Sequence, residues 1–116
     1  MTALARVYLS QKKFVDAEAL LRKEETAYVK SSPDAWQLFF CRNLLGASLA
    51  GQKKTAEGEA LLTTGFDGMI SRQSSIDAPS RRYLTEARDR VVRFYRESGQ
   101  EQKAAVWSKR ISAQAG

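Results

Sequence analysis

An internal repeat constrains the fold of this chain more than any other feature of its sequence. Residues 45–62 repeat residues 4–21 at a spacing of 41 positions, and eight of the 18 aligned pairs are identical. The identical pairs include a Gln-Lys-Lys turn, at 11–13 and 52–54, and a closing Glu-Ala-Leu-Leu. A self-match with a period of about 20 to 50 residues is typical of a stacked repeat protein, in which each unit covers the apolar face of its neighbour.

A weaker third copy follows the two strong ones. The spacing between the second and third copies is 46 residues, and the five additional residues lie in the connector around 77–79. The small residues of the repeat are expected where paired helices approach most closely, because a larger side chain would separate the helices. The copies correspond at an apolar position and at a small position nine residues later: Tyr8, Leu49 and Tyr95, then Ala17, Gly58 and Ala104.

Apolar residues recur at helical spacing along the chain, which predicts an all-α fold. We expect about six antiparallel helices in three hairpins, at about 1–30, 33–74 and 80–113, stacked as an αα superhelix. The turns inside the hairpins hold few residues, so paired helices must be antiparallel neighbours. Residues 1–116 are interpreted as a single repeat domain, and as a fragment or the C-terminal part of a larger protein.

The clearest boundary signal lies at residues 31–34, which read Ser-Ser-Pro-Asp. Ser32 is expected to cap a helix, with Pro33 at its first position and Asp34 in its first turn. Gly51 is expected to follow the end of this helix. The helix is apolar over a wide arc, which predicts that it lies at the centre of the domain.

Aromatic residues at the start of this helix have two interpretations. Trp36, Phe39 and Phe40 are interpreted as core, and an exposed peptide-binding cluster is the alternative. Cys41 is expected to be a small buried hydrophobe. Trp107 is expected to pack the last hairpin.

The composition excludes several kinds of site. The chain has no histidine and one cysteine, which rules out histidine-based nucleophile systems, histidine metal sites and internal disulfides. No catalytic residue, cofactor or metal is predicted. One cysteine fits a reducing compartment, no apolar run approaches the roughly 18 to 20 residues of a membrane span, and residues 1–6 do not form a secretory signal. A cytoplasmic protein is therefore expected.

The net charge of +6 is placed unevenly. Residues 1–71 hold nine basic and eight acidic side chains, whereas residues 72–116 hold ten and five. Two interpretations remain open: a solvated basic face, or a contact surface for an acidic partner. A helical repeat that binds nucleic acid through this basic third is the alternative hypothesis, but no base-reading or alternating aromatic and basic pattern supports it.

At the repeated positions the chain resembles the tetratricopeptide repeat, whose usual period is about 34 residues. The resemblance implies stacked hairpins whose first helices line a concave groove, and a protein–protein interaction or scaffold function without chemistry of its own. The repeat pattern of an aromatic residue, Leu-Gly, Tyr, Ala and a further apolar residue falls on three sets: Met1, Leu4-Ala5, Tyr8, Ala17 and Leu21; Arg42, Leu45-Gly46, Leu49, Gly58 and Leu62; Arg88, Val91-Val92, Tyr95, Ala104 and Ser108.

The stretch from Trp36 to Trp107 is similar to the C-terminal repeat segment of large bacterial serine/threonine protein kinases. It departs from that family at Thr55, where an aromatic residue is usual, and at Gly58, where alanine is usual. The similarity implies a regulatory or partner-binding module beside a kinase domain, since the chain itself holds no glycine-rich phosphate loop, His-Arg-Asp loop or Asp-Phe-Gly motif. The similarity is carried chiefly by residues 44–46, 49–54, 61–62, 65–69, 88–95 and 103–105.

The repeat alignment also selects candidate partner-binding residues in the groove. Arginine can hold a carboxylate through two hydrogen bonds, and asparagine can pair with a peptide backbone. An ordinary solvated groove is the alternative, since the Lys, Asn and Arg set with which some tetratricopeptide modules hold a C-terminal carboxylate is not reproduced. The candidates are Arg6, Asn43, Ala47, Asp89 and Arg93.

The partner is expected to be a protein or peptide, with no membrane role. A homodimer, or packing through an open apolar N-terminal end, is a further expectation because repeat arrays need covered ends. An enzyme is the least supported class. Its candidate acids, Glu24 with Glu25 and Glu57 with Glu59, are expected on polar faces beside lysines.

Overall fold

The computed structural model describes residues 2–110. All the regular secondary structure in this part of the chain is helical. The predicted all-α class and the six helices are confirmed. Two 3-10 turns, Gln73–Ser75 and Ala78–Ser80, lie between the fourth and fifth helices. The helices are α1 (Thr2–Ser10), α2 (Phe14–Ser31), α3 (Trp36–Gly51), α4 (Thr55–Ser71), α5 (Arg82–Glu97) and α6 (Glu101–Ser108).

The odd-numbered helices all end in the same turn. The turn residues Lys12, Lys53 and Gly99 have positive φ angles of 60°, 68° and 76°. In each case the next residue donates its N–H to a carbonyl five positions back, at 2.8, 2.9 and 2.7 Å. This is the Schellman arrangement that ends a helix. The three turns are therefore equivalent, at the spacings of 41 and 46 residues found in the sequence.

The middle hairpin, α3 and α4, is held by backbone contact. A Cβ atom added to Gly46 would lie 2.5 Å from the amide nitrogen of Leu62. One added to Gly58 would lie 2.9 Å from the amide nitrogen of Ala50. Real Cβ atoms do not approach other atoms so closely, so these positions require glycine. The expectation that Gly58 permits close helix contact is confirmed.

Helix α3 lies at the centre of the fold, as its apolar arc predicted. It packs against α2 and α4 on either side and also contacts α1 and α5. Trp36 and Phe40 are buried and their rings lie 6.1 and 5.0 Å from the ring of Tyr83, so their assignment to the core is confirmed. Phe39 is only half-buried, with the guanidinium of Arg72 4.1 Å above its ring.

The predicted start of α3 is wrong by three residues. Ser32 donates its N–H to the carbonyl of Tyr28 at 2.7 Å and so closes α2 instead of capping α3. The residue before a proline avoids helical angles, and residues 32–35 form a turn for that reason. Asp34 accepts a hydrogen bond at 2.6 Å from Arg72, a contact that no local pattern shows.

Other boundaries also differ from the sequence-based expectation. Gly51 is the last residue of α3, and the left-handed residue is Lys53. Helix α4 ends earlier than expected, and the connector that follows contains Ile76, which is 1% exposed and part of the core. The predicted continuation of the last helix, at 111–113, lies outside the described residues. Trp107 packs 6.0 Å from the ring of Phe66, as expected.

Candidate partner-binding groove

A groove of about 810 Å³ runs between α1, α3 and α5, the first helices of the three hairpins. Its apolar lining is provided mainly by Leu9, Phe14, Ala47, Ala50 and Phe94. Glu97 is the one acidic side chain among the described residues that line it. The basic lining residues are Arg6, Lys12, Lys53, Arg90 and Arg93.

Asn43 lies in the protein interior near this groove and not on its surface. It is fully buried, and its Nδ2 donates to the carbonyl oxygens of Leu62 at 3.0 Å and Ala87 at 3.2 Å. Its Oδ1 accepts from Nη1 of Arg90 at 3.4 Å. The prediction that Asn43 faces a partner is therefore wrong, because α4 and α5 cover this face of α3. Asn43 joins three helices instead.

Arg90 is held by groups from two helices, α3 and its own helix α5. Its side chain is 17% exposed, its guanidinium lies 5.5 Å from the centre of the Phe40 ring, and Nη2 lies 3.9 Å from a carboxylate oxygen of Glu86. Burial lowers the pKa of Arg90 to about 10, while Glu86 acts in the opposite direction. A group with that pKa remains a cation at neutral pH, so the lining carries a partly buried positive charge.

Arg6 and Arg93 extend this positive region to both sides of Arg90. Arg6 of α1 donates from Nη2 to Oε1 of Glu86 at 2.5 Å and lies 5.4 Å above the Tyr83 ring. Glu86 is therefore shared by two guanidinium groups from different helices. Arg93 is exposed and lies three residues after Arg90 on α5, nearly one helical turn further along. Arg6 and Arg90 thus share the Glu86 carboxylate, and together with Arg93 they form what we call the arginine cluster.

The structure unites three of the five predicted site residues. Arg6, Ala47 and Arg93 line the same groove, from α1, α3 and α5. Asp89 is exposed but is not part of the lining, and its carboxylate accepts from Arg88 at 3.1 Å. Asp89 directly precedes Arg90, the first lining residue of α5. Its role in partner binding stays a prediction.

Sequence reasoning missed several groove residues. Lys12 and Lys53 stand at identical turn positions of the first two copies, so the exact Gln-Lys-Lys repeat was an available signal for them. Arg90 had a weaker signal, the charge excess of residues 72–116. Phe94 is one of the apolar residues at helical spacing, a pattern that does not distinguish groove from core. It is half-buried in the groove wall.

Three of the remaining basic residues of the C-terminal third are engaged in contacts within the fold. Arg72 pairs with Asp34 and Arg110 pairs with Asp67, each at 2.6 Å. Arg88 donates to the carbonyl of Ser108 at 3.4 Å. These cations are used to join helices, so the uneven charge of the sequence does not by itself define a binding face.

The candidate acids have separate structural roles. Glu24 is buried, with no hydrogen-bond partner for Oε2 among the described residues, and burial raises its pKa. Glu59 accepts from the hydroxyl of Tyr95 at 2.8 Å, and Glu25 and Glu57 lie 2.9 and 3.4 Å from arginine nitrogens. The expectation of lysine partners is wrong, and the expected polar face holds for the exposed Glu57 but not for the buried Glu24. No three His, Cys, Asp or Glu residues between 2 and 110 are grouped to hold a metal ion.

The first hairpin leaves apolar side chains exposed on its outer side. Leu4 and Val7 are 50% and 46% exposed, and a shallow cavity of about 220 Å³ is lined by Leu4, Tyr8 and Leu20. This agrees with the expected open apolar end. The homodimer, or a packed segment that covers this end, stays a prediction.

Comparisons of the chain with protein-family models, curated proteins and solved structures find no match. The tetratricopeptide and kinase resemblances therefore stay predictions. Within residues 2–110, none of the helices has the length and apolar character needed to cross a membrane.

Proposed function

We propose that this chain is a non-catalytic protein–protein interaction module of the tetratricopeptide type, which binds a protein or peptide partner in the groove between α1, α3 and α5. The equivalent turns at Lys12, Lys53 and Gly99 support repeat stacking, because they give the three hairpins one common geometry. The groove then lies on the face formed by the first helix of each repeat.

The groove itself is the observation that carries this proposal. Ligand pockets are typically concave, largely apolar and of roughly 300 to 1,000 Å³, with a few polar groups that fix orientation. The groove falls within this range at about 810 Å³. Half-buried Leu9, Phe14 and Phe94 offer apolar surface there, and guanidinium groups supply the polar contacts.

The hydrogen bonds of the serine hydroxyl groups in the lining favour a binding function over a catalytic one. Ser10 donates to the carbonyl of Val7 at 2.8 Å, and Ser98 donates to that of Phe94 at 2.8 Å. A nucleophilic hydroxyl needs an adjacent base, and histidine is absent from the chain. Glu97, the one carboxylate among the described lining residues, is exposed in a mainly cationic surround.

The resemblance to kinase C-terminal segments extends the proposal to a setting. We propose a partner-binding or regulatory region of a bacterial serine/threonine kinase, located in the cytoplasm. The single thiol supports a reducing compartment: Cys41 is buried, its Sγ donates to the carbonyl of Leu21 at 3.4 Å, and burial raises its pKa to about 12. Co-purification of the chain with a kinase domain encoded upstream tests this setting, and a different upstream domain contradicts it.

Groove binding is tested by selecting displayed random peptides on the whole chain. Ala47→Trp fills the groove, whereas Ala60→Trp adds the same ring to the exposed side of α4 and serves as control. We expect selected peptides to bind the wild type and the Ala60→Trp variant and to lose binding to Ala47→Trp. Thermal unfolding of both variants checks that they remain folded, and Phe94→Ala is a second groove variant. The proposal would be contradicted if the selected peptides bound both groove variants as tightly as the wild type, or if no peptide bound the wild type.

A further inference from the structure

We propose that the groove recognises an acidic peptide segment, with a carboxylate of the partner bound between Arg6, Arg90 and Arg93. This inference rests on the proposed function and specifies its ligand. Arg6 and Arg90 share one carboxylate, that of Glu86, and Arg93 lines the same groove, so positive charge is in excess at this point of the groove. A carboxylate from a partner would reduce this excess.

Two members of the arginine cluster, Arg6 and Arg90, are held in place before any partner arrives. Oδ1 of Asn43 and the ring of Phe40 hold Arg90, and the carboxylate of Glu86 fixes Arg6 relative to α5. A guanidinium that is already ordered loses little conformational freedom on binding, and it can hold a carboxylate through two hydrogen bonds. Charges in partly buried positions also interact with an anion more strongly than charges in bulk water.

A second basic point lies at the other end of the groove. Lys12 and Lys53 occupy left-handed turn positions that usually take glycine, and both line the groove. Arg6 lies within α1, whereas Lys12 follows Ser10, the last residue of that helix, by two positions. The two basic points are therefore separate, and we infer a ligand with more than one acidic side chain.

The surface between the two basic points favours a peptide over a polyanion. Leu9, Phe14 and Phe94 give this middle part an apolar character. A nucleic-acid strand carries phosphate at every nucleotide, and Glu97 at the groove would repel part of such a strand. An acidic segment with apolar residues between its carboxylates matches the order of basic, apolar and basic surface.

The groove-dependent peptides are those that lose binding to the Ala47→Trp variant. Their amino-acid composition and their affinity for charge variants test this inference. We expect Asp and Glu to be enriched in these peptides. We also expect Arg93→Gln to weaken their binding at least about tenfold, since a lost charge-assisted pair is worth on the order of 1.5 kcal/mol or more. Arg96→Gln removes the same charge from an exposed α5 position outside the groove and should change affinity less than about twofold.

Several outcomes would overturn it. Groove-dependent peptides without acidic enrichment, or with equal affinity for Arg93→Gln and Arg96→Gln, would refute the acidic ligand while leaving groove binding intact. Tighter binding of a phosphorylated version of the peptides, or of a short single-stranded oligonucleotide, with the same loss in Arg93→Gln would assign the site to phosphate. The absence of any groove-dependent peptide would instead remove the proposed function itself.

Discussion

Asn43 shows how one buried polar residue organises the site without touching a partner. Its amide joins α3 to α4 and α5 and supplies the acceptor for Arg90. A buried polar group is stabilising only when its partners are present, and a guanidinium left without an acceptor is costly. The amide is therefore a positioning group for the arginine cluster.

Replacement of Asn43 tests this role. We expect Asn43→Leu to lower the free energy of unfolding by about 2 kcal/mol, because Arg90 loses a buried acceptor. Ser48→Ala is the control, since the buried Ser48 hydroxyl donates only to Leu45 of its own helix and its loss should cost under about 1 kcal/mol. Urea unfolding measures both. A neutral or stabilising Asn43→Leu would contradict the positioning role.

Lys53 provides a test of the balance between stability and binding. A left-handed conformation costs a non-glycine residue about 1–2 kcal/mol, and glycine avoids this while adding freedom to the unfolded chain. We expect Lys53→Gly to stabilise the fold by about 0.5–1 kcal/mol and to weaken acidic-peptide binding. Lys54→Gly has no positive φ to relieve and should not stabilise. Equal effects of the two substitutions would show that Lys53 is unstrained.

Glu24 gives the fold a defined pH dependence. Burial raises its pKa in the folded state, so the folded protein binds a proton more readily than the unfolded chain. Its stabilising contribution is therefore complete below the unfolded glutamate pKa of about 4.3 and is lost as pH rises through the folded-state pKa. We expect wild type to gain stability relative to Glu24→Gln as the pH falls from about 7 toward that value. A constant difference across unfolding curves in this pH range would contradict the buried, unpaired carboxylate.

At the scale of elements, the contact between α3 and α4 fixes the scaffold on which the groove depends. Gly46 faces the amide nitrogen of Leu62, and Gly58 faces that of Ala50. These contacts join main chains, so no side chain can rotate away to admit a methyl group. The glycines thus determine the separation of the two helices.

Gly46→Ala is the corresponding prediction. Alanine favours a helix interior by about 1 kcal/mol over glycine, but overlap with backbone costs about 1–3 kcal/mol or more. Because the added Cβ would lie 2.5 Å from a backbone nitrogen, we expect a net loss near the upper limit, at least about 2 kcal/mol. Gly51→Ala is the control, since its Cβ would meet only the ring of Phe14, which can move. Chemical unfolding that ranks the two variants in the opposite order would contradict the backbone contact.

Local patterns predicted the elements well where local chemistry decides them. The repeated Gln-Lys-Lys turn and the glycine at Gly58 indicated the hairpins, because turns and close contacts depend on nearby residues. The start of α3 was missed although its signal is local: Ser32 precedes a proline, so it closes α2 and residues 32–35 form a turn. The arginine cluster was also missed in part, since Arg6 and Glu86 are 80 residues apart and only the folded chain brings them together.

At the scale of the whole molecule, three similar hairpins give one groove with an uneven charge. The first helices supply its walls, and the basic residues that line it come from α1, from the turns of the first two copies and from α5. Outside the groove, some cations are used in ion pairs, such as Arg110 with Asp67. Repetition thus forms the scaffold, and we propose that the basic residues of the groove select the ligand.

Amide chemical-shift mapping with the tightest peptide selected on the wild-type chain tests the groove assignment most directly. We expect the largest shifts at groove positions, including Leu9, Ala47 and Phe94, with the side-chain signal of Arg90 perturbed as well. Helices α2, α4 and α6 should show small shifts on their outer faces. Shifts concentrated on those outer faces, with the groove residues unchanged, would contradict the assignment of partner binding to the groove.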